Sequence, residues 1–551
     1  MAEKGKNVRK KEIKSTSRFF SGVVALTLAN IFVKVVGLLL KIPLRSILGD
    51  SGMAYYNNAY DIYAFFFTVS TVGLPTALSM LISENRAKGN KRETKKIFRV
   101  TAILFVIIGI VGSCAMFFGA PLFEDAYKIE NSAYCIMAVA PTLFFICVAS
   151  ALRGYFQGYQ NMVPTAVSEV IEAVGKMALG LLFADYARAQ GQPVHIIASY
   201  AALGLTIGIA AGMLFLIIRK LLFKPASYDV EYGDLNDETL PVRSTGTIIK
   251  TLIFIAVPIT LSSSVMSFST MLDGIILSRG LQDIGFSENS VKEMIGNYKT
   301  CAVPISHIIL ALVAPITAAI IPLISSTNAS GNKSRVEKIF NSTLKISMIL
   351  ILPCILGIAV LAEPIIAFLF NDMSAAYQAG PLLSVLAISI FFMSMIQISA
   401  AVLQSHKYQR KPIISVAVGC LTKVVATYIL VTIPSLNIMG SPISSIISSF
   451  VISFMNFYFI KKHIGFSPNF IKLTVRPLIA SIACAISAAG VYALLNGVLG
   501  LSAALFTSVG AAAVVYVVMI FVIKALDKEE LELIPKGKAL VRVLNKIGLM
   551  K

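Results

Sequence analysis

The chain has 551 residues, 56% hydrophobic and 14% charged, with a formal net charge of +20 and a mean hydropathy of +0.80. So apolar a composition excludes an ordinary soluble globular protein. The positive charge would suggest nucleic acid in a soluble chain, but here it gathers in short segments between apolar runs, the pattern of the positive-inside rule, so no nucleic-acid partner is expected.

The N-terminal stretch is basic (Lys4, Lys6, Arg9, Lys10, Lys11, Lys14, Arg18) and runs into an apolar segment, 19–48, too long for the core of a signal peptide. That segment carries Lys34 and Lys41 where hydrocarbon should be, with Arg45 near its far end. A charge at mid-bilayer costs at least ~2.5 kcal/mol, so it normally faces protein interior or water. Lys34 and Lys41 are two helical turns apart and share one face, which reads as the wall of a water-filled, cationic cavity. About fourteen apolar spans follow the 20-residue rule: 19–44, 55–82, 97–119, 132–152, 164–184, 194–218, 248–278, 300–325, 340–362, 378–404, 412–433, 441–460, 477–497 and 501–523. Most lysines and arginines fall in alternate connecting segments, which predicts a multi-pass membrane protein with both termini cytoplasmic.

An internal repeat organises these spans. Leu81-Ile-Ser83, Gly89-Asn-Lys91 and Lys96-Ile-Phe98 recur in register as Leu323-Ile-Ser325, Gly331-Asn-Lys333 and Lys338-Ile-Phe340; Phe144-Phe145 and Lys176 recur as Phe391-Phe392 and Lys423. Six spans duplicated as six keep their orientation. The expected fold is an all-α polytopic membrane protein of about 14 transmembrane helices: an N-lobe (1–222), a cytoplasmic linker (223–247), a C-lobe (248–462), two appended helices (463–523) and a cytoplasmic tail (524–551). The tail reads equally as an amphipathic helix on the inner leaflet or a short solvated one.

Further charges lie within the spans: Asp61, Glu169, Glu172, Lys176, Asp273, Lys299 and Lys423. Glu172 and Lys176 are spaced as an i,i+4 pair, and a structural ion pair is a fair account of them. Arg45, Arg279 and Lys345 sit nearer span ends, where snorkelling suffices. Lys34 and Lys299 have no acidic residue within four positions on their own helix, which suits an anionic ligand such as a diphosphate. Gly204-x3-Gly208-x3-Gly212 predicts close helix packing. The seven cysteines lie in apolar spans and are expected as free thiols. No phosphate-binding loop, catalytic triad or metal cluster is visible, so neither an enzyme nor a cofactor is expected.

The first-span pattern Phe32-x-Lys34-x-x-Gly37 followed by Ile47-Leu48-Gly49, Lys299 five residues before Pro304, Pro322-Leu-Ile-Ser325 with Ala329-Ser-Gly331-Asn332, and Arg153-Gly-Tyr155-Phe-Gln157-Gly158 together resemble the multidrug/oligosaccharidyl-lipid/polysaccharide flippase superfamily. Within it the chain looks most like the polysaccharide transporter branch of the stage V sporulation protein B and MurJ-type flippases. The resemblance implies two six-helix lobes, a cationic cavity, and alternating-access flipping of undecaprenyl-diphosphate-linked saccharide, with membrane lipids and a coupling ion as further partners. The chain departs from the pattern: lysine replaces arginine at both matched cavity positions, Lys41 is one residue out of step, and the second span lacks a basic residue. Lysine keeps the charge but loses the planar fork. Two other readings compete. A multidrug or cation antiporter of the same fold would use Asp61, Glu169, Glu172 and Asp273. A membrane-embedded glycosyl- or acyltransferase would need a sizeable external loop, and the external loops here are short.

Overall fold

A computed structural model of the chain describes residues 2–223, 241–313, 333–466 and 468–523, and positions 316, 317, 320, 324 and 327 between them. Among the described residues every regular element is helical. Most of the linker, the tail 524–551 and the repeat residues Leu323, Ser325, Gly331 and Asn332 lie outside the described residues.

The first two predicted spans form one helical element, α1 (Ala2–Thr71), broken at Gly49, whose φ of 67° leaves the helical region. Only a residue without Cβ adopts that φ cheaply. Lys41, eight residues before the break, bonds Asn57, eight after it, so the two arms fold back on each other. A second break falls at Val72, where the sequence predicts a continuous span, and α2 (Gly73–Ala87) begins there. Gly73 lies where a Cβ would come within 2.3 Å of the Ala256 carbonyl, so a neighbouring helix occupies the space a side chain would need.

Then follow α3 (Lys91–Phe118), α4 (Ala120–Tyr127), α5 (Ser132–Val139), α6 (Thr142–Gly158), α7 (Val163–Ala189), α8 (Val194–Leu221) and α9 (Thr245–Asp283). Asn90 caps α3 by accepting from the Glu93 N–H, and Ser244 caps α9 through Thr247. Next come α10 (Glu288–Asn297), a π-helical turn (Tyr298–Ala302), α11 (Val303–Leu310), α12 (Lys333–Phe370), α13 (Met373–Ser405), α14 (Arg410–Val431), α15 (Gly440–His463) and α16 (Phe470–Val522). The last holds both appended spans, joined at Gly500, which again has a positive φ of 75°. Eight of the described helices are long and apolar enough to cross a membrane, and α9 makes a ninth if its bent halves count as one span. The protein is a multi-pass membrane protein. All seven cysteines are free.

The chain divides into two compact units, Met1–Gly296 and Asn297–Lys551. In the first, α9 packs on α1 and α2, and its start is tied to α3, where Arg243 pairs with Glu93 and Lys96 donates to the Arg243 carbonyl at 2.7 Å. In the second, α12, α13, α15 and α16 surround a core centred on Phe340, Met348 and Ile398. The repeat places Lys91 and Lys333 at matching positions, and both are helical, on α3 and α12.

Among the described residues the most extensive helix contact is α7 on α8. A Cβ on Gly204 would meet the Gly180 backbone at 2.2 Å; on Gly208, the Lys176 nitrogen at 2.6 Å; on Gly212, the Glu172 side chain at 2.6 Å. The glycine spacing thus lets two backbones touch, as the sequence predicts. Gly204→Val should force these helices apart, costing at least about 1–3 kcal/mol as overpacking does. The check is thermal unfolding of the detergent-solubilised protein, with Gly490→Ala, whose Cβ would meet nothing within 4 Å, as the silent control.

Candidate functional site

The charges predicted at membrane depth in the first unit sit on α1, α7 and α9. On α1, Lys34 is exposed, beside the exposed Ile31, Phe32 and Val35. Lys41 is half-buried and donates to Asn57 Oδ1 at 3.2 Å. Arg45 is buried and pairs with Asp50 at 2.6 Å across the Gly49 break. Snorkelling does not describe Arg45: its head is held inside the protein by a carboxylate five residues on. Gly296 packs on that same turn, where a Cβ would sit 2.0 Å from the Asp50 carbonyl oxygen.

The α7 face differs from its sequence reading. Glu169, Glu172 and Lys176 do share a face, but the partner of Glu172 is Arg153, not Lys176. Arg153 Nε also donates to Ser168 Oγ at 3.1 Å, so one guanidinium grips α7 at two successive turns. The cause is tertiary. The sequence places Arg153 at the start of a loop, yet α6 continues to Gly158 because Tyr155, Phe156 and Tyr159 pack with Phe98 and Phe223 into an aromatic cluster. That extension carries Arg153 to α7. Lys176 instead lies over the Tyr60 ring at 5.6 Å, a cation–π contact. Glu169 Oε2 is buried with no hydrogen-bond partner among the described residues.

Asp61, half-buried on α1, and Asp273, buried on α9, both lie within electrostatic range of Tyr127, whose hydroxyl donates to the Met271 carbonyl. Arg279 lies exposed at the far end of α9 and donates to the Ala126 and Asp125 carbonyls at 2.6 and 2.8 Å. Lys292 is a residue that sequence reasoning missed. It falls in a predicted external loop but is buried on α10, donating to Tyr55 at 3.2 Å and to Glu288 at 3.0 Å. Burial works against its charge, but the bonds to Glu288 and Tyr55 outweigh it and raise its pKa above the usual lysine value. The signal was its i,i+4 spacing from Glu288.

In the second unit, Lys299 is half-buried in the π-helical turn. Pro304 has no N–H to offer the Thr300 carbonyl, and the Val303 N–H reaches back to the Tyr298 carbonyl, five residues away, so the helix widens by one residue there. Asn297 Nδ2, bonded to Gln378 at 2.7 Å, and Tyr298, whose hydroxyl accepts from Ser441 at 3.4 Å, brace the turn on α13 and α15. Lys345 is buried on α12, inside the protein and not at a snorkelling end. Lys423 is half-buried on α14, one turn after Gly419, whose carbonyl accepts from Ser448 of α15 at 2.7 Å.

The repeat is asymmetric in charge. At the spacing that relates Lys176 to Lys423, the positions of Arg153, Glu169 and Glu172 are Ala400, Val416 and Gly419. The lysine recurs; the ion pair does not. Removing one member of a buried pair strands the other charge and costs ~3–5 kcal/mol, while replacing both can be nearly neutral. Arg153→Met should therefore lower the unfolding temperature strongly, and Arg153→Met with Glu172→Gln should lose less. A double-mutant cycle read by thermal unfolding checks the coupling.

Comparison with known proteins places this arrangement. The family model described as polysaccharide biosynthesis protein matches residues 19–328, and one described as MatE matches 299–429. The lipid II flippase MurJ of Bacillus subtilis is 24% identical over 497 residues, covering 85% of this chain and 87% of that protein. Stage V sporulation protein B of the same organism is 23% identical over 536 residues, covering 95% and 99%. Among solved structures, a lipid II flippase MurJ in an inward closed conformation superposes with a TM-score of 0.71 at 13% identity, over 91% of this chain and 98% of that one. With more than half its length inside the first family model, the chain belongs to the polysaccharide biosynthesis protein family of the multidrug/oligosaccharidyl-lipid/polysaccharide flippase superfamily.

Proposed function

We propose that this protein flips an undecaprenyl-diphosphate-linked saccharide, a lipid II-type or polysaccharide precursor, across the bacterial cytoplasmic membrane by alternating access, with both termini cytoplasmic. The reading makes it a transporter and not an enzyme, energised by a coupling ion or by the substrate gradient. Lys34, Lys41 and Lys299 hold the diphosphate, and Lys176 and Lys423 are the duplicated cations of the two six-helix lobes, 1–222 and 248–462.

The observation that carries it is the π-helical turn around Lys299. Such turns are rare and are frequently found at functional sites. This one displays an amine at bilayer depth on a rigidly braced segment. A cation at that depth faces protein interior or water, where an anionic headgroup can reach it. Likeness to the lipid II flippase MurJ over 85% of the chain supports the same substrate class.

A cation antiporter is the second reading, favoured by the carboxylates Asp61, Glu169, Glu172 and Asp273, all in the first unit, and by the MatE match. The two separate by experiment. Lys34→Ala and Lys299→Ala should each abolish rescue of a strain depleted of its lipid II flippase while membrane levels of the protein hold, and the lysine-to-arginine variants should retain rescue. Full growth of both alanine variants sinks the diphosphate role. Raised drug susceptibility of a deletion strain, with normal lipid II accessibility, would select the antiporter.

A further inference from the structure

A groove of about 690 Å³ lies on the flank of the first unit, between α3, the end of α6 and the end of α8. Its chemistry changes along its length. At one end stand Lys91, Lys95 and Arg99, three residues spaced four apart on α3, joined by Lys220 from α8. Towards the other end α3 presents Ile103, Val106 and Ile107, all exposed. At 1.5 Å per residue the cationic stretch is about 12 Å long and the apolar one begins within the next turn.

Two details define the basic end. Lys220 is held in place by aromatic faces, its ammonium 3.6 Å from the Phe98 ring centre and 5.5 Å from that of Tyr155. Among the described residues the nearby carboxylates are engaged elsewhere: Glu93 by Arg243, and Glu84 by Lys88. α3 is itself a membrane-spanning helix, with only 22% of its apolar window buried, so its outer face meets lipid.

We infer that this groove is a binding site for an anionic phospholipid, with the phosphate on Lys95, Arg99 and Lys220 and an acyl chain along Ile103, Val106 and Ile107. A cluster of cations between helices at the membrane surface attracts anionic headgroups. The apolar track continuing from it selects a lipid over a free phosphate, which would leave that track empty. The site is separate from Lys34, Lys41 and Lys299 and does not depend on the identity of the cargo.

The protein has no tryptophan, which makes a single introduced one a clean reporter. Ile107→Trp, reconstituted in phosphatidylcholine bilayers, is titrated with phosphatidylglycerol or phosphatidylcholine brominated on the acyl chain. Half-quenching should need about threefold less brominated phosphatidylglycerol than phosphatidylcholine, and the difference should shrink with salt. Val514→Trp, on the exposed outer side of α16, should be quenched equally by both. Adding Lys95→Gln, Arg99→Gln and Lys220→Gln to Ile107→Trp should abolish the preference. Equal quenching of the Ile107→Trp reporter with native charges overturns the proposal, whether or not the charge variant folds. Displacement of brominated phosphatidylglycerol by undecaprenyl diphosphate at a lower mole fraction than by unbrominated phosphatidylglycerol also overturns it, assigning the groove to the cargo.

Discussion

The first unit depends on how closely two helices can approach. Between α7 and α8 the glycines 175, 180, 204, 208 and 212 bring backbone against backbone. In a bilayer, lipid chains are as apolar as leucine, so burial alone does not drive helices together, and tight van der Waals contact must do so. The same contact sets the angular position of α7. Gly212 lies against the Glu172 side chain and Gly208 against the Lys176 backbone. The Glu172 side chain thus runs along α8 at Gly212 and reaches Arg153 of α6, while Lys176 meets Tyr60 of α1.

Once that face is oriented, the electrostatics divide into two kinds. Arg45 with Asp50 and Arg153 with Glu172 are ion pairs that join separate turns or helices, and arginine holds the cation position in both. Its planar fork makes two directed bonds at once, as Arg153 does to Ser168 and Glu172. Lysine occupies the positions the flippase reading assigns to cargo: Lys34, Lys41 and Lys299. An ammonium has no preferred plane and rotates its donors freely, which suits a group that must be gripped and then released. The division of labour also explains the asymmetry of the repeat. The second half keeps Lys423 but has a glycine where the first has Glu172, and packs α14 on α15 through Gly419 and the Ser448 hydroxyl.

Several of these features were legible in the sequence. The glycine spacing on α8 announced a close contact, and the paired basic segments fall on α3 and α12. The apolar spans that hold Lys34, Lys41 and Lys299 were readable because a hydropathy pattern is local. Partners were not. The Glu172–Lys176 spacing suggested an intrahelical pair, but Arg153, nineteen residues earlier, took the carboxylate because an aromatic cluster prolonged α6 past the expected loop. Lys292 looked like a loop cation and is buried, since nothing in its neighbourhood signals that Tyr55 waits more than two hundred residues away.

By itself, then, the order of residues determined the helical class, the approximate spans and the duplication, because these follow from runs of apolar side chains and from short-range backbone preferences. Only tertiary structure decided that α1 folds back at Gly49, that Pro304 widens the turn holding Lys299, and which cation meets which carboxylate. An ion pair needs its members within about 4 Å, a separation set by helix packing and not by distance along the chain.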